Sequence, residues 1–580
     1  MKKLFILSLF FAVSANAQTG FWAKQLGGTG EEFAGSMAVD NIGNIYVTGY
    51  FDGTIDLNPG IGVDSHTSNG ERDAFLCKLD ANGSFIWGKT WGGHKGDVGN
   101  GIAVDSFGNI VVIGRFQDTV NFNPAGADTH ISNGLSHQNN PYICKFDSSG
   151  NFLWAKTWGG VWGAEGYSVT VDPVGNIYGG GDFSNPAGTP VDFNPGIGVD
   201  NHCCNGFFDA WMVKYNANGN FAWAKTWGGA DYDDGCAINV NRSGILYWAG
   251  MFESVGVNLN PDSTGPADIH SCNGGQIDVF LSKFDTSGHF YWARTWGGNG
   301  NDCGGHVTVD EDGNAFVGGY YQDTVDFNQW STPKDTIISA GGYDAFLSKI
   351  DSSGNLIWAK PMGGTGDERG GFNVIDKNGN IYMIGLFSGK ANFDWNTGDD
   401  TLTSRGSNDI FIIKIDASGN FLWAKRMGGT GDDGGYSIGI DDSGNIYSSG
   451  CFTGTSNFDP GTGTSNLNAV AGGDIFLSKF YPAIGTEENA DFGLQNAELK
   501  ISKNPFIKST LISYSVPEYT NVLLTINDLS GRCVKTLINE EKQAGNYTID
   551  FNARGLPTGI YFAKFSTGNY KETNKLILIK

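Results

Sequence analysis

Asp73-Ala-Phe-Leu-Cys-Lys-Leu-Asp80-Ala-Asn-Gly83-Ser-Phe-Ile-Trp87-Gly-Lys89 reads as two apolar strands joined by a tight turn. In the first strand Phe75, Cys77 and Leu79 face one way and Ala74 and Leu76 the other, so both faces must be covered. Asp80 and Gly83 supply the turn chemistry. The second strand ends in Trp-x-Lys. The same ending, with Lys or Arg, recurs at Trp22, Trp87, Trp154, Trp223, Trp292, Trp358 and Trp423, spaced by 65, 67, 69, 69, 66 and 65 residues. A period of this length marks a repeat architecture and has to be settled before any local motif is read.

Each copy carries four strand-like runs, which in the first are 21–24, 36–40, 44–51 and 73–80. In the second run Met37 and Val39 alternate with small residues, and the alternation returns as Ile102/Val104, Val169/Val171, Ile238/Val240 and Val307/Val309. The two ends of the array do not match. Phe21-Trp22-Ala-Lys24 has no partner run before it, and Asp474-Ile-Phe-Leu-Ser-Lys479 has no Trp strand after it. Pairing these two runs completes a seventh unit and removes exposed sheet edges. The expected fold is all-β: a seven-bladed β-propeller over 18–481, closed by pairing of its N- and C-terminal strands, followed by a small C-terminal β-sandwich. Runs such as Gly43-Asn-Ile-Tyr-Val-Thr-Gly49 and Asp344-Ala-Phe-Leu-Ser-Lys-Ile-Asp351 resemble the bacterial β-propeller repeats known as SBBP repeats, over about 20–481. The resemblance implies a propeller in an extracellular setting, and that family has no single defined activity.

Strand order follows from the closure. With the Trp strand outermost, 36–40 and its equivalents line the central channel, and consecutive antiparallel strands put their connections on alternate faces. The tight turns at 40–44 and 80–83 then share one face, and the long connections at 27–31 and 56–70 share the other, which is the candidate binding face.

Eighty-eight glycines beside 13% aromatic residues describe a turn-rich, well-packed chain. The net charge of −24 argues against nucleic acid, which needs clustered Lys and Arg. Lys2 and Lys3, an apolar run from Leu4 to Ala15, and Ala15-Asn-Ala17 before Gln18 read as a secretory signal peptide, residues 1–17. No later stretch is apolar over the 18 or more residues a transmembrane helix needs.

Residues 482–498 lack the repeat signals and read as a linker, and 499–580 form a second domain. There, Ile501-Ser-Lys-Asn-Pro-Phe506, Ile526-Asn-Asp-Leu-Ser-Gly-Arg532, Ala544-Gly-Asn-Tyr547, Gly555-Leu-Pro-Thr-Gly-Ile-Tyr561 and Lys575-Leu-Ile-Leu-Ile-Lys580 alternate apolar and polar residues between turns. This ordered set resembles the type A sorting domain of the type IX secretion system of Bacteroidetes, with Lys503 where that family usually has proline. The resemblance implies export across both membranes to the outer-membrane surface or the medium, with the type IX machinery as a partner.

Seven acids follow the Trp strands: Glu31, Asp97, Glu165, Asp233, Asp302, Asp367 and Asp432. They are expected to ring one mouth of the channel, where a focused negative field would attract cations or basic ligands; bracing of glycine turns explains the same residues structurally. Asp56/Asn58, Asp192/Asn194, Asn392/Asp394 and Asn457/Asp459 offer alternating oxygens suited to Ca²⁺, although the spacing does not complete a calcium loop, and no other cofactor is expected. His66, His130, His202 and His270 share one slot that Ile337, Leu402 and Leu467 fill in later copies, so packing is the favoured reading. Among nine cysteines, Cys203, Cys204 and Cys272 lie in related loops and are the disulfide candidates, whereas Cys77 and Cys144 occupy a small buried strand position. No nucleophile with a base and no positioned acid pair stands out, so no catalytic residue is assigned. The expected function is a secreted or surface binding and adhesion module for a glycan or extracellular protein. The alternatives are a polysaccharide hydrolase or lyase, or a spacer that binds nothing.

Overall fold

The computed structural model describes residues 21–481 apart from 134–137, 187, 263–264, 275–276, 397, 399 and 462, and residues 498–579 apart from 502–503, 517–519, 543–544 and 568–569. The expected signal peptide, nearly all of the expected linker, and Lys503 lie outside the described residues. Contacts divide the chain into one unit that holds the repeats, Gly20–Ala483, and one that holds the C-terminal domain.

In the repeat unit Glu32–Val39, Ile45–Phe51, Asp73–Leu79 and Phe85–Trp91 pair in that order as an antiparallel sheet. Six further four-stranded sets repeat the pattern, with innermost strands starting at Val98, Ala164, Asp233, Cys303, Glu368 and Asp433. The last set takes three strands from the C-terminal end of the repeats, Asp433–Ile440, Ile446–Phe452 and Asp474–Phe480, and its fourth, Trp22–Gly28, from the N-terminal end. Trp22 lies opposite Lys479 and Leu26 opposite Ile475, so the two runs left unmatched in the sequence are partners. Each innermost strand packs beside the next, and Glu32–Val39 packs beside Asp433–Ile440. Across that last junction the Met37 amide donates to Ser437 Oγ at 3.1 Å and the same hydroxyl donates to the Met37 carbonyl at 3.2 Å.

The Trp-x-Lys and Asp-x-x-Gly signals prove to be two halves of one contact between sheets. The third-strand lysine of one sheet reaches the turn of the next: Lys78 Nζ donates to the Ser148 carbonyl at 3.0 Å, Lys214 to Thr286 at 2.5 Å and Lys283 to Ser352 at 2.6 Å. Lys479 does the same to the Ala81 carbonyl at 2.9 Å, linking the last sheet to the first. The tryptophan ring lies under the glycine of that turn. Gly83 has φ +73°, and a Cβ there would meet Trp22 at 3.1 Å, so both backbone and space require glycine. Each of these ammonium groups lies over an aromatic ring, as Lys78 Nζ over Tyr46 at 5.0 Å and Lys479 Nζ over Tyr447 at 5.1 Å. Burial pulls the Lys78, Lys283 and Lys479 ammonium groups below their usual range.

The long connections differ from the loops expected. Thr54–Asp56 pairs with Ser65–Thr67 as a small hairpin whose first strand also pairs with Gly27 and Gly28. Similar hairpins follow in later copies, and Ala315–Asp326 with Thr336–Ile350 runs straight through from sheet to hairpin.

In the C-terminal unit one sheet contains Glu498–Ile501, Ser509–Val516 and Gly545–Asn552, and the other Cys533–Lys542, Thr520–Asn527, Gly559–Thr567 and Tyr570–Leu578. Leu499, Phe506, Ile512, Leu524, Phe551 and Phe565 fill its core. Asn504-Pro-Phe506 holds to the last strand: Asn504 Oδ1 accepts the Ile577 amide at 2.8 Å, and the Phe506 amide donates to the Ile577 carbonyl at 3.0 Å.

Because the paired ends make Trp22 equivalent to Trp87, Trp22→Ala and Trp87→Ala should each cost about 2–3 kcal/mol in urea unfolding of the mature protein. A Trp22→Ala protein as stable as the parent would show that the ends do not pair.

Candidate functional site

The connection from each outermost strand to the next innermost strand carries a Gly-Gly pair and an acid, and the structure shows why. Gly93 N–H donates to Asp97 Oδ2 at 2.7 Å, Gly229 to Asp233 at 2.6 Å, Gly298 to Asp302 at 2.8 Å, Gly364 to Glu368 Oε2 at 2.7 Å and Gly429 to Asp433 at 2.7 Å. The other glycine of the pair lies against a second buried acid at the start of the third strand. A Cβ on Gly92 would meet the Asp73 carboxyl at 2.4 Å, and one on Gly297 would meet Asp278 at 2.2 Å. Six sheet positions thus hold two buried carboxyl groups: Glu32 with Asp474, Asp97 with Asp73, Asp233 with Asp209, Asp302 with Asp278, Glu368 with Asp344 and Asp433 with Asp409. At the seventh both acids are replaced together, by Asn140 and Ala164.

Burial, followed by the neighbouring carboxyl where one is close, pushes Glu32, Asp97 and Glu368 up to about 8 and Asp278 and Asp302 up to about 7. Burial raises Asp73, Asp209, Asp344 and Asp409 to about 6. Asp73, Asp278, Asp344, Asp409 and Asp474 each keep one buried oxygen without a partner, which disfavours the charged form.

This arrangement divides the seven acids expected at the mouth. Asp97, Asp233 and Asp302 are fully buried members of the pairs. Glu31, Asp367 and Asp432 stand one residue before the buried acid, and Glu165 one residue after Ala164, so the seven occupy three different positions rather than one ring. Where two acids are adjacent, as in Glu31-Glu32, charge alone does not say which turns inward; the register places Glu32 opposite Phe51. Glu31 bonds Arg72 at 3.1 Å, Asp367 Oδ1 accepts the Tyr343 amide at 3.1 Å, and Asp432 Oδ1 accepts Asn408 Nδ2 at 2.7 Å.

The residue after each buried-acid position is different in all seven sheets: Phe33, Val98, Glu165, Asp234, Cys303, Arg369 and Gly434. Six of these make specific contacts or leave space at the junction with the preceding sheet. Phe33 meets Tyr436 at 5.0 Å, Glu165 bonds Arg115 at 2.6 Å, Asp234 faces Asp182, Cys303 faces Cys236, and Arg369 covers Tyr343 at 4.6 Å. Gly434 borders an acidic cleft of about 380 Å³ with Glu31, Phe33, Leu386, Asp432 and Tyr436. These positions, on the face of the long connections, form the candidate site. Comparing the seven copies for the position that varies between a fixed acid and a fixed glycine would have revealed it.

The other candidates are occupied in holding the backbone. His66, His130, His202 and His270 each share a hydrogen bond with a threonine, at 3.1, 2.9, 2.9 and 3.0 Å, and sit beside an aspartate. Their slot pairs across the hairpin as His66 does with Ile55, Leu402 with Ala391 and Leu467 with Ser456. Asp56 Oδ1 accepts the Asn58 and Asp64 amides at 3.0 and 2.8 Å, Asp192 Oδ1 does the same for Asn194 and Asp200, and Asn457 Oδ1 for Asp459 and Ser465. In the same way Asp394 Oδ1 accepts the Asn396 amide at 2.9 Å. Among the described residues, which include all nine cysteines, none forms a disulfide; Cys204 donates to the Gly206 carbonyl at 3.2 Å and Cys272 to the Glu253 carbonyl at 2.7 Å.

Residues 503–580 match the secretion system C-terminal sorting domain, and residues 22–54 match a beta-propeller repeat. The sorting domain links the chain to the type IX secretion machinery and to export. The chain is 24% identical over 502 residues to an uncharacterized WD repeat-containing protein of Acanthamoeba polyphaga mimivirus, covering 74% of this chain and 36% of that protein. It is 28% identical over 402 residues to the regulatory protein FlaEY of Caulobacter vibrioides, covering 66% and 38%. The chain therefore spans little more than a third of the length of these curated relatives. Superposition on PorZ of the Porphyromonas gingivalis type IX secretion system covers 96% of this chain and 100% of that one, at 10% identity and a TM-score of 0.18, too low to bear on the fold.

The carboxyl pairs fix a pH dependence. Their folded-state values lie above the ordinary ones, so between about pH 4 and pH 8 the native protein binds more protons than the unfolded chain. Stability is full below the unfolded values and falls as pH rises through the folded ones, by up to about 1.4 kcal/mol per pH unit for each proton retained. Urea unfolding at stepped pH checks this. Asp73→Asn with Asp97→Ala, which copies the junction between the second and third sheets, should flatten the fall; an unchanged slope would refute raised carboxyl values in that pair.

Proposed function

We propose that this is an exported, non-catalytic binding protein that meets its partner with the mouth formed by the long-connection face of the repeat unit. One observation carries the reading. A scaffold position and its neighbour, the buried acid and the following glycine, recur in nearly every sheet, while the residue between them is different in all seven. A spacer would leave that position free to settle on one well-packing residue; a recognition surface needs it to vary. The mixture of aromatic, acidic, basic and thiol side chains suits one asymmetric ligand rather than seven equal ones. The sorting domain supports delivery of this surface to the cell exterior.

Two measurements test the two halves. A reporter carrying residues 1–17 at its start and 482–580 at its end should reach the surface or medium of a type IX-competent host, and retention in the periplasm would refute export by this route. The mature protein, screened against extracellular glycans and proteins with product analysis, should bind without cleaving, and the interaction should weaken about tenfold or more in Phe33→Ala and Arg369→Ala. Binding unaffected by either change, or release of a cleavage product, would refute the reading.

A further inference from the structure

At the junction between the third and fourth sheets the variable positions and a cross-strand neighbour bring three acids together. Glu165 and Asp182 are opposite each other on one ladder, and Asp234 comes from the neighbouring innermost strand, Asp233–Val240, which packs against both strands that bear them. Arg115 and Asn139 hold Glu165 at 2.6 and 2.5 Å, and the Tyr167 hydroxyl donates to Asp182 Oδ2 at 3.2 Å. Asp182 is 8% exposed, and its Oδ1 is buried without a partner, as is Asp234 Oδ1. Among the described residues neither Asp182 nor Asp234 makes an ion pair. Burial and mutual repulsion push Asp234 up to about 7 and Asp182 well above the carboxylate range. The paired carboxyls elsewhere sit within the scaffold and vary little; this cluster uses the variable position and its cross-strand neighbour instead.

We propose that this junction receives a cationic side chain, a lysine ammonium or an arginine guanidinium, projecting from a basic segment of an extracellular protein. The proposal rests on the mouth being the binding face. A buried acceptor with no donor is costly, and an incoming N–H donor with positive charge recovers that cost and relieves the repulsion at once. A protein cation fits better than a metal ion because, among the described residues, no three His, Cys, Asp or Glu groups are placed to hold one. The rim adds flat aromatic surface. Tyr232 immediately precedes the Asp233-Asp234 pair, and its ring lies parallel to Phe207 at 5.6 Å and 6° and to Phe208 at 5.3 Å and 17°. Phe207 is 61% and Tyr232 50% exposed, leaving ring area on which a guanidinium or a lysine stem can stack. The net charge of −24 steers a basic partner toward the protein, and the cluster supplies the specific stop.

The probe is a hexa-arginine peptide titrated into the full mature chain at physiological salt. Asp182→Asn and Asp234→Asn should each weaken binding about tenfold or more. Glu311→Gln, the same charge change at a distant exposed residue paired with Arg242, should leave it within about twofold. Binding should weaken as pH falls from about 8 to about 5, because Asp234 then takes up a proton. Asp182→Asn should also raise the melting temperature, since it removes repulsion, which separates lost binding from lost folding. Equal weakening in all three variants would show diffuse attraction and overturn the proposal, as would Ca²⁺ displacing the peptide in an Asp182-dependent way. If the peptide ignores Asp182 while a partner found in the screen still depends on Phe33 and Arg369, the cation receptor fails and the binding mouth stands. If neither responds, both fail.

Discussion

The contact on which the repeat unit depends is the one each sheet makes with the turn of the next. A lysine ammonium bonded to a turn carbonyl and a tryptophan ring set under the turn glycine fix the spacing and angle between neighbours. Both partners come from the same short hairpin motif, so repeating the motif repeats the angle. Carried around the array, the same contact joins the two ends: Lys479 meets Ala81, 398 positions away, and Trp22 lies under Gly83. The end strands then pair, and no outer strand among the described sheets is left to template aggregation at that junction.

A fixed frame has a functional consequence. The glycine pair, the buried carboxyls and the turn contact occupy the positions that cannot change without cost, and each has a physical reason: space for a carboxyl, a left-handed backbone, or an acid held in low dielectric. The residue next to each buried acid has no such duty, although it stands at a junction on the outer rim of the mouth. It is different in all seven sheets, and chemistry gathers around it: the acids between the third and fourth sheets, the thiols of Cys236 and Cys303 between the fourth and fifth, and Arg369 on its tyrosine ring between the fifth and sixth.

Much of the frame was legible in the sequence. Strand count, the turn at Asp80-x-x-Gly83 and the pairing of Trp22 with the Asp474 run follow from periodicity and from the mismatch at the ends, because these are local patterns repeated seven times. Asn504-Pro-Phe506 was legible for the same kind of reason, as a motif whose side-chain amide and backbone lock onto the last strand. What the sequence hid is register and burial. Glu31 and Glu32 are chemically almost the same, and only the ladder opposite Phe51 separates a buried acid from an exposed one bonded to Arg72. The long connections looked like free loops because Asx-Pro-Gly signals turns without announcing the short strands on either side. The cluster of Glu165, Asp182 and Asp234 draws on two sheets and three strands, so no spacing in one repeat points to it.

The claim that unites these features is that the chain's two repeat ends pair, giving every junction the same frame. Native-state hydrogen exchange of the amides between Trp22 and Leu26 tests it most directly, in the intact mature protein. The account predicts protection equal to that of the equivalent strand Phe85–Trp91. Exchange as fast as in an unstructured segment, with Phe85–Trp91 still protected, would contradict it.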